Sequence, residues 1–246
     1  MNDNFLIEGR NPVLEALKSG KSIEKIYIQK GEKQGSVVKI ISLAQKNKIP
    51  VTEVDKNKIN SMSETKSHQG VIAAVSPIEY VSVEYIIQSA KDKGEPLFVV
   101  VLDEIEDPHN LGSIIRTANA AGAHGVIIPK HRNASVTSTV VKTSAGACFY
   151  TPVAKVTNLV RTIKQLKDAG VWFIGADMNG DKNIYDADFS GAVGIIVGNE
   201  GKGISRLVKE ECDFLVNIPM LGKIESLNAS VSAGIFMYSV LKNRLK

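Results

Sequence analysis

Three stretches of this chain place polar side chains at the mouth of an apolar run, where a loop can meet a ligand and a regular element can hold it still. The first is DPHNLGSIIRTANAAG, residues 107–122. Leu111, Ile114, Ile115 and Ala118 recur at helical spacing as one buried stripe, and Asn110 stands where an N-cap would. Arg116 lies off that stripe with Ser113 and Asn119. It is either a solvated surface arginine or, one turn beyond a polar loop, a clamp for a phosphate. The second stretch is Gly198-Asn199-Glu200-Gly201-Lys202-Gly203. Its glycines allow a backbone to approach something closely, and a tight turn alone has no need of both Asn199 and Glu200. The third runs IPMLGKIESLNASVSAGIFM, from Ile218 to Met237. Pro219 and Gly222 make its first half a loop, and from Leu227 a helix is expected, with Val231, Gly234, Ile235, Met237 and Tyr238 on its stripe. Ser226 or Asn228 either caps that helix or faces a ligand at its start.

Other chemistries find little support. The glycine loop fits neither the dinucleotide fingerprint, since its close glycine pair comes last, nor the Walker pattern, since Ile196 and Gly203 occupy the required Gly and Ser/Thr positions. Gly20-Lys21-Ser22 fails because Glu15 replaces the first glycine. His68, His109, His124 and His131 show no metal-ligand spacing, so no metal site is expected. Gly203-Ile204-Ser205 begins a nucleophile elbow that Leu207 breaks.

The elements that must position these residues are alternating. Asn11-Pro12 opens a helix that ends by Gly20, IEKIYIQ is a strand, Val37 to Asn47 a helix, and Val51–Val54 and Gly70–Val75 further strands. They make a compact α/β module over residues 1–77. Residues 78–95 are expected to be a linker with one helix at its centre, and 96–246 a second domain. There, continuous apolar runs at Leu97–Leu102, Gly125–Ile128, Val171–Ile174, Val193–Val197 and Phe214–Ile218 read as parallel strands buried on both faces. Helical patterns at Leu111–Ala121, Val136–Ala145, Leu159–Ala169 and Ile204–Glu210 separate most of them, predicting an open parallel sheet covered on both sides. The three polar stretches follow strands, at the carboxyl edge where such sheets bind ligands.

Two unpaired cysteines, Cys148 and Cys212, point to a reducing compartment. No apolar run is long enough to span a bilayer and MNDNFLIEGR has no signal-peptide character, so the expectation is a soluble, cytoplasmic protein without membrane contact. The net charge of +4 is compatible with nucleic acid without demanding it. Lysines gather in the first third, at Lys18, Lys21, Lys25, Lys30, Lys33, Lys39, Lys46, Lys48, Lys56 and Lys58, as a solvated face or a nucleic-acid surface.

The segments DEIEDPHNLGSIIRTANAAGAHGVIIPK, GIIVGNEGKGIS and IPMLGKIESLNASVSAGI resemble, in order and spacing, the three signature motifs of the TrmH/SpoU family of RNA ribose 2′-O-methyltransferases, of the SPOUT class. The resemblance covers roughly the last 150 residues. It implies a trefoil-knotted α/β domain with a mostly parallel sheet, S-adenosylmethionine held in the knot, and a homodimer. The cofactor positions carried over are Gly198, Ile218 and Leu227, with Asn199, Met220 and Gly222 on the same loops. The functional polar residues carried over are Asn110, Arg116, Asn199, Glu200, Ser226 and Asn228. EGRNPVLEAL, KIYIQ and SHQGVIAAV are similar to the small ribosomal-protein-L30-like RNA-binding domain of the subgroup that modifies a guanosine of 23S rRNA, with His68-Gln69-Gly70 as its short marker. A tRNA 2′-O-methyltransferase and a non-catalytic RNA-binding or assembly factor are the alternatives.

The implied reaction needs a ribose hydroxyl aligned with the methyl group and the departing sulfur, so positioning should supply much of the barrier reduction, about 7–11 kcal/mol in favourable cases. A guanidinium keeps its proton at ordinary pH, which favours a phosphate-fixing role for Arg116 over that of a base. The family builds each active site at a subunit interface, and Ile235, Phe236 and Tyr238 offer an apolar surface for it, unless the helix merely packs on its own sheet.

Overall fold

The computed structural model describes residues 5–19, 21–31, 34–63 and 65–245. Gly20 and Lys33, named above, and the first four residues lie outside the described residues. The chain divides into two compact units, Met1–Glu79 and Tyr80–Lys246.

The first unit runs β1 (Phe5–Glu8), α1 (Arg10–Lys18), β2 (Ile23–Gln29), α2 (Ser36–Lys46), β3 (Val51–Val54), α3 (Lys56–Met62) and β4 (Val71–Val75). Its sheet has the order β1-β4-β2-β3, with only β3 parallel to its neighbour. Ile26 and Ile28 on β2 pack with Val13 and Leu17 of α1 and Val37 and Ile40 of α2, while Tyr27 turns to the opposite face with Ile59 and Met62 of α3. That alternation is what a strand between two helical layers requires. The His68-Gln69-Gly70 marker is a structural device: buried His68 accepts the Gly70 N–H at Nδ1 (3.0 Å) and donates from Nε2 to Asn60 Oδ1 (2.8 Å). Gln69, left-handed at φ 48°, accepts Arg10 Nε at its carbonyl (2.9 Å).

The second unit continues α4 (Val83–Lys93), β5 (Phe98–Leu102), α5 (Pro108–Ala120), β6 (Gly125–Pro129), α6 (Ser138–Thr143), β7 (Val153–Val156), α7 (Leu159–Asp168), β8 (Trp172–Ala176), β9 (Lys182–Asn183), β10 (Val193–Val197), α8 (Arg206–Lys209), β11 (Phe214–Asn217) and α9 (Ala229–Arg244). All seven strands are parallel, in the order β7-β6-β5-β10-β8-β11-β9. One face carries α4, α7 and α8 over Val99, Val101, Ile127, Phe173 and Ile196. Helices α5, α6 and α9 pack together elsewhere on the sheet, α9 directly against β10 and β8. The α/β class and the parallel sheet agree with the sequence reading.

Four expectations are corrected. The stretch 78–95 is not a free linker: Ser82 caps α4, and Ile86 and Ala90 are fully or nearly fully buried in the second core. Gly125 makes room for this helix, since a Cβ there would lie 2.5 Å from Ile86 Cδ1. The N-cap of α5 is Asp107, which accepts the His109 N–H at 2.9 Å with Pro108 at the first helical position, so Asn110 is released from capping. On α9 the buried face is Ala229, Ala233, Phe236, Met237 and Val240, whereas Val231 and Tyr238 are exposed. Apolar residues are spread around this helix among its serines, so no single stripe stands out. Finally β1, β7 and β9, absent from the sequence reading, complete the two sheets.

Candidate functional site

The carboxyl ends of β8, β10 and β11 open onto a cavity of about 250 Å³. Its wall mixes apolar Val197, Ile218, Leu227 and Phe236 with polar Asn199, Glu200 and Ser226. Gly198 ends β10 at a point of very close approach: a Cβ there would sit 2.2 Å from Gly203 C and 2.3 Å from Ile204 N. The turn closes through Asn199 N–H to Gly203 O (3.0 Å) and Gly203 N–H to Asn199 O (2.8 Å), with Gly203 at φ 68°. Inside it, Asn199 Oδ1 accepts the Gly201 N–H (2.9 Å), and Asn199 Nδ2 donates to Glu104 O beyond β5 (3.1 Å). Asp103 Oδ2 accepts the Ser205 N–H at 2.7 Å, fixing the far end of the same loop. Asn199 is thus an internal strut, which no motif-based role would have disclosed.

Glu200 is the meeting point of the three motifs. Its Oε1 accepts from Asn110 Nδ2 on α5 (2.9 Å), from Asn228 Nδ2 (2.5 Å) and from the Ala229 N–H at the start of α9 (3.2 Å). Asn228 Nδ2 also donates to Asn110 Oδ1 (2.9 Å), while its Oδ1 accepts the Ser230 N–H (3.0 Å) and the Val231 N–H (3.3 Å). Asn228 is therefore the cap of α9 and a member of the polar cluster at once, and Ser226, left out of capping, lines the cavity. A carboxylate at a helix N-terminus is also favoured by the helix dipole.

Of the residues singled out in sequence, Gly198, Asn199, Glu200, Ile218, Met220, Ser226 and Leu227 line the cavity. Asn110 and Asn228 reach it through Glu200. Gly222 is exposed and does not line it, and Arg116 is exposed on α5, outside the cavity lining, with no hydrogen-bond or ion-pair partner among the described residues. Sequence reasoning missed Ala176, Asp177, Met178 and Asn179, which line the cavity after β8, and Lys209, which pairs with Asp177 at 2.5 Å. Their signal was positional only: a short polar turn at the carboxyl end of an apolar strand. Behind the wall, burial and then the neighbouring Asp213 push the Cys212 thiol up to about 12, so it stays protonated and its Sγ contacts the Val208 carbonyl at 3.6 Å.

The residues present suit a small ligand with an apolar body and polar edges. The main chain of Ile218 and Leu227 makes no hydrogen bond to other described residues, leaving donors and acceptors at the cavity wall for a heteroaromatic ring. The lining carries both charges, Asp177, Glu200 and Glu225 against Lys202 and Lys209, with Asp177 and Lys209 paired to each other.

Comparison with known proteins agrees with this geometry. Residues 97–238 match the model of the SpoU rRNA methylase family, and residues 6–81 match that for RNA 2′-O ribose methyltransferase substrate binding. The chain is 45% identical over 236 residues to YacO of Bacillus subtilis, a protein provisionally described as a TrmH family tRNA/rRNA methyltransferase, covering 96% of this chain and 94% of that one. An rRNA methyltransferase of Sinorhizobium meliloti crystallised with AdoMet superposes with a TM-score of 0.62 at 26% identity, covering 99% of this chain and 89% of the other. The TrmH/SpoU tRNA modifying enzyme of A. aeolicus gives a TM-score of 0.57 at 26% identity but covers only 61% of this chain, and 77% of its own. With the family model spanning more than half the chain and the Bacillus protein similar from end to end, the three motifs that converge on Glu200 are those of a family member, and the chain belongs to the SpoU rRNA methylase family.

Proposed function

We propose that this protein transfers a methyl group from S-adenosylmethionine to a ribose 2′-hydroxyl of RNA, on a guanosine of 23S rRNA, in the cytoplasm. The observation that carries the reading is the convergence of Asn110, Glu200, Asn228 and the start of α9 beside a cavity whose main-chain groups at Ile218 and Leu227 make no hydrogen bond among the described residues. Ribosomal rather than transfer RNA is favoured by coverage: similarity to the rRNA enzyme extends through the substrate-binding unit, while similarity to the tRNA enzyme stops at the second unit's length.

Gly198, Ile218 and Leu227 would hold the cofactor through backbone, with Asn199 bracing the loop and Met220 and Gly222 on the adjoining segment. When bound, S-adenosylmethionine supplies an electrophilic methyl group to the hydroxyl oxygen. Glu200 orients Asn110 and Asn228 toward the nucleotide, and Ser226 borders the same space. Arg116 would fix the phosphate beside the target ribose. Because it is exposed and makes no hydrogen bond to the Glu200 cluster of its own chain, we place it in the cavity of a second subunit, so that the working form is a homodimer. A trefoil knot in which the last strand and α9 pass through the chain fits the crossing between β10, β8 and β11.

Calorimetry with S-adenosylmethionine, followed by tritium transfer into RNA from cells lacking the protein and mapping of the modified ribose, tests the reading. Cofactor binding with methylation at one 23S rRNA guanosine is expected. Methylation confined to tRNA would move the target, and cofactor binding without transfer to any RNA would leave an assembly factor. Arg116→Ala should keep cofactor affinity within about twofold and lower transfer at least about a hundredfold, as expected when a positioning contact made late in the reaction is removed.

A further inference from the structure

Directly after β6 come Lys130, His131 and Arg132, all exposed at the carboxyl edge of the sheet, where the cavity also opens. The loop that carries them is tightly held. Lys130 N–H donates to Val156 O (2.8 Å), Ala134 N–H to Ile105 O (2.7 Å) and Val136 N–H to the Tyr80 hydroxyl (3.0 Å), while Asn133 Oδ1 accepts the Ile105 N–H (2.9 Å). Between this loop and the cavity stands Glu104. Its carboxylate accepts Arg132 Nη1 (3.2 Å) and its carbonyl accepts the cavity-lining Asn199 Nδ2 (3.1 Å). Glu104 and Arg132 are both left-handed, at φ 59° and 56°, a conformation that non-glycine residues keep only where the surroundings over-determine it. So two strained residues joined by an ion pair connect a rigid basic loop to the glycine turn of motif two. The strands involved, β6 and β10, are separated by β5 alone, two strand spacings or about 10 Å.

We propose that Lys130, His131 and Arg132 form a phosphate-binding ridge on the catalytic unit, which grips the RNA backbone next to the nucleotide being modified, with Glu104 as the positioning residue that sets Arg132. The proposal rests on the reading of this cavity as an RNA methylation site. Glu104 offsets part of the charge of Arg132 by pairing with it, and Glu106 and Asp107 are exposed on the neighbouring loop, while Lys130 has no ion-pair partner among the described residues. A rigid loop with protruding cations loses little freedom on binding a phosphate chain, and Arg132 keeps exposed guanidinium nitrogens for a bidentate contact.

The test measures RNA binding and methylation separately, on the full chain, with total RNA purified from cells lacking the protein as the probe. For Lys130→Ala/Arg132→Ala, the slope of log affinity against log salt should become shallower by about 1.4, two contacts at about 0.7 each for single-stranded RNA. The apparent KM for RNA should rise at least about tenfold, while S-adenosylmethionine affinity stays within twofold. Lys91→Ala/Arg161→Ala, which removes two exposed charges on α4 and α7, should leave the slope unchanged. Glu104→Gln should raise KM with kcat little altered, and Arg132→Lys should restore most of the slope. An unchanged slope in the ridge variant, or an equal change in the α4/α7 control, overturns the proposal. Loss of methylation by the parent protein with a normal ridge-dependent slope would instead count against the methyltransferase reading and leave the ridge standing.

Discussion

Glu200 is exposed, yet one of its oxygens accepts three donors from two helices, and Asn110 beneath it is buried. Removing that oxygen strands buried donors, which costs about 1–3 kcal/mol per unsatisfied group. Glu200→Ala is expected to lower the urea midpoint by the equivalent of about 1–2 kcal/mol and methyl transfer by more than tenfold, whereas Glu200→Gln should recover most of the stability. Chemical denaturation beside a transfer assay checks both. His124 is a second residue whose environment dictates its behaviour. Burial foremost, then the charge of Lys93, holds its imidazole below the usual 6.5, against the opposing pull of Glu95. Its Nδ1 accepts the Phe98 N–H at 3.0 Å, so the fold wants it neutral. Because the folded-state pKa is the lower one, the unfolded chain binds the extra proton, and this stabilisation is complete above 6.5 and lost as pH falls below that value. Denaturation midpoints should drop between pH 7.5 and 5.5, and by less in His124→Asn.

At the level of elements, the clearest strands in sequence were β5, β6 and β10, because a parallel strand between two helical layers is apolar almost throughout. β9, with two residues, and β7, with four, could not announce themselves that way. The polar site was legible as three motifs, but not as one cluster, since Asn110 reads as a cap until Asp107 is seen to occupy that place. The glycine turn has the sharpest elemental requirement. Gly198→Ala drives a methyl group into the Gly203 backbone, which cannot yield as a side-chain end would, and a loss of about 3 kcal/mol or more is expected together with S-adenosylmethionine binding. Thermal melts and calorimetry on that variant decide it. For α9, Met237→Ala should cost about 2–5 kcal/mol as a core cavity, while the exposed Val231 tolerates Ala within about 0.5 kcal/mol in a monomer.

For the molecule as a whole, the proposed dimer would use the exposed side of α9, where Val231 and Tyr238 lie. Sedimentation at micromolar concentration is expected to show a dimer, and Val231→Asp with Tyr238→Asp to shift it to monomer and abolish transfer while cofactor binding falls less. A parent protein that sediments only as monomer would remove the interface from the mechanism. Each unit carries its own apolar core, and the chain passes from one to the other at Glu79 and Tyr80. What could not be read was the allegiance of α4, whose exposed polar residues look like connector while Ile86 and Ala90 alone reveal its attachment. That attachment governs which fragments of the gene can be exchanged. A cut at residue 96 would strip α4 and bare Val99, Ile127 and Ala154 to chaperones and proteases, so recombination that swaps substrate-binding modules between relatives is expected to join them within residues 76 to 79, before Tyr80 and Val81 bond into the second unit.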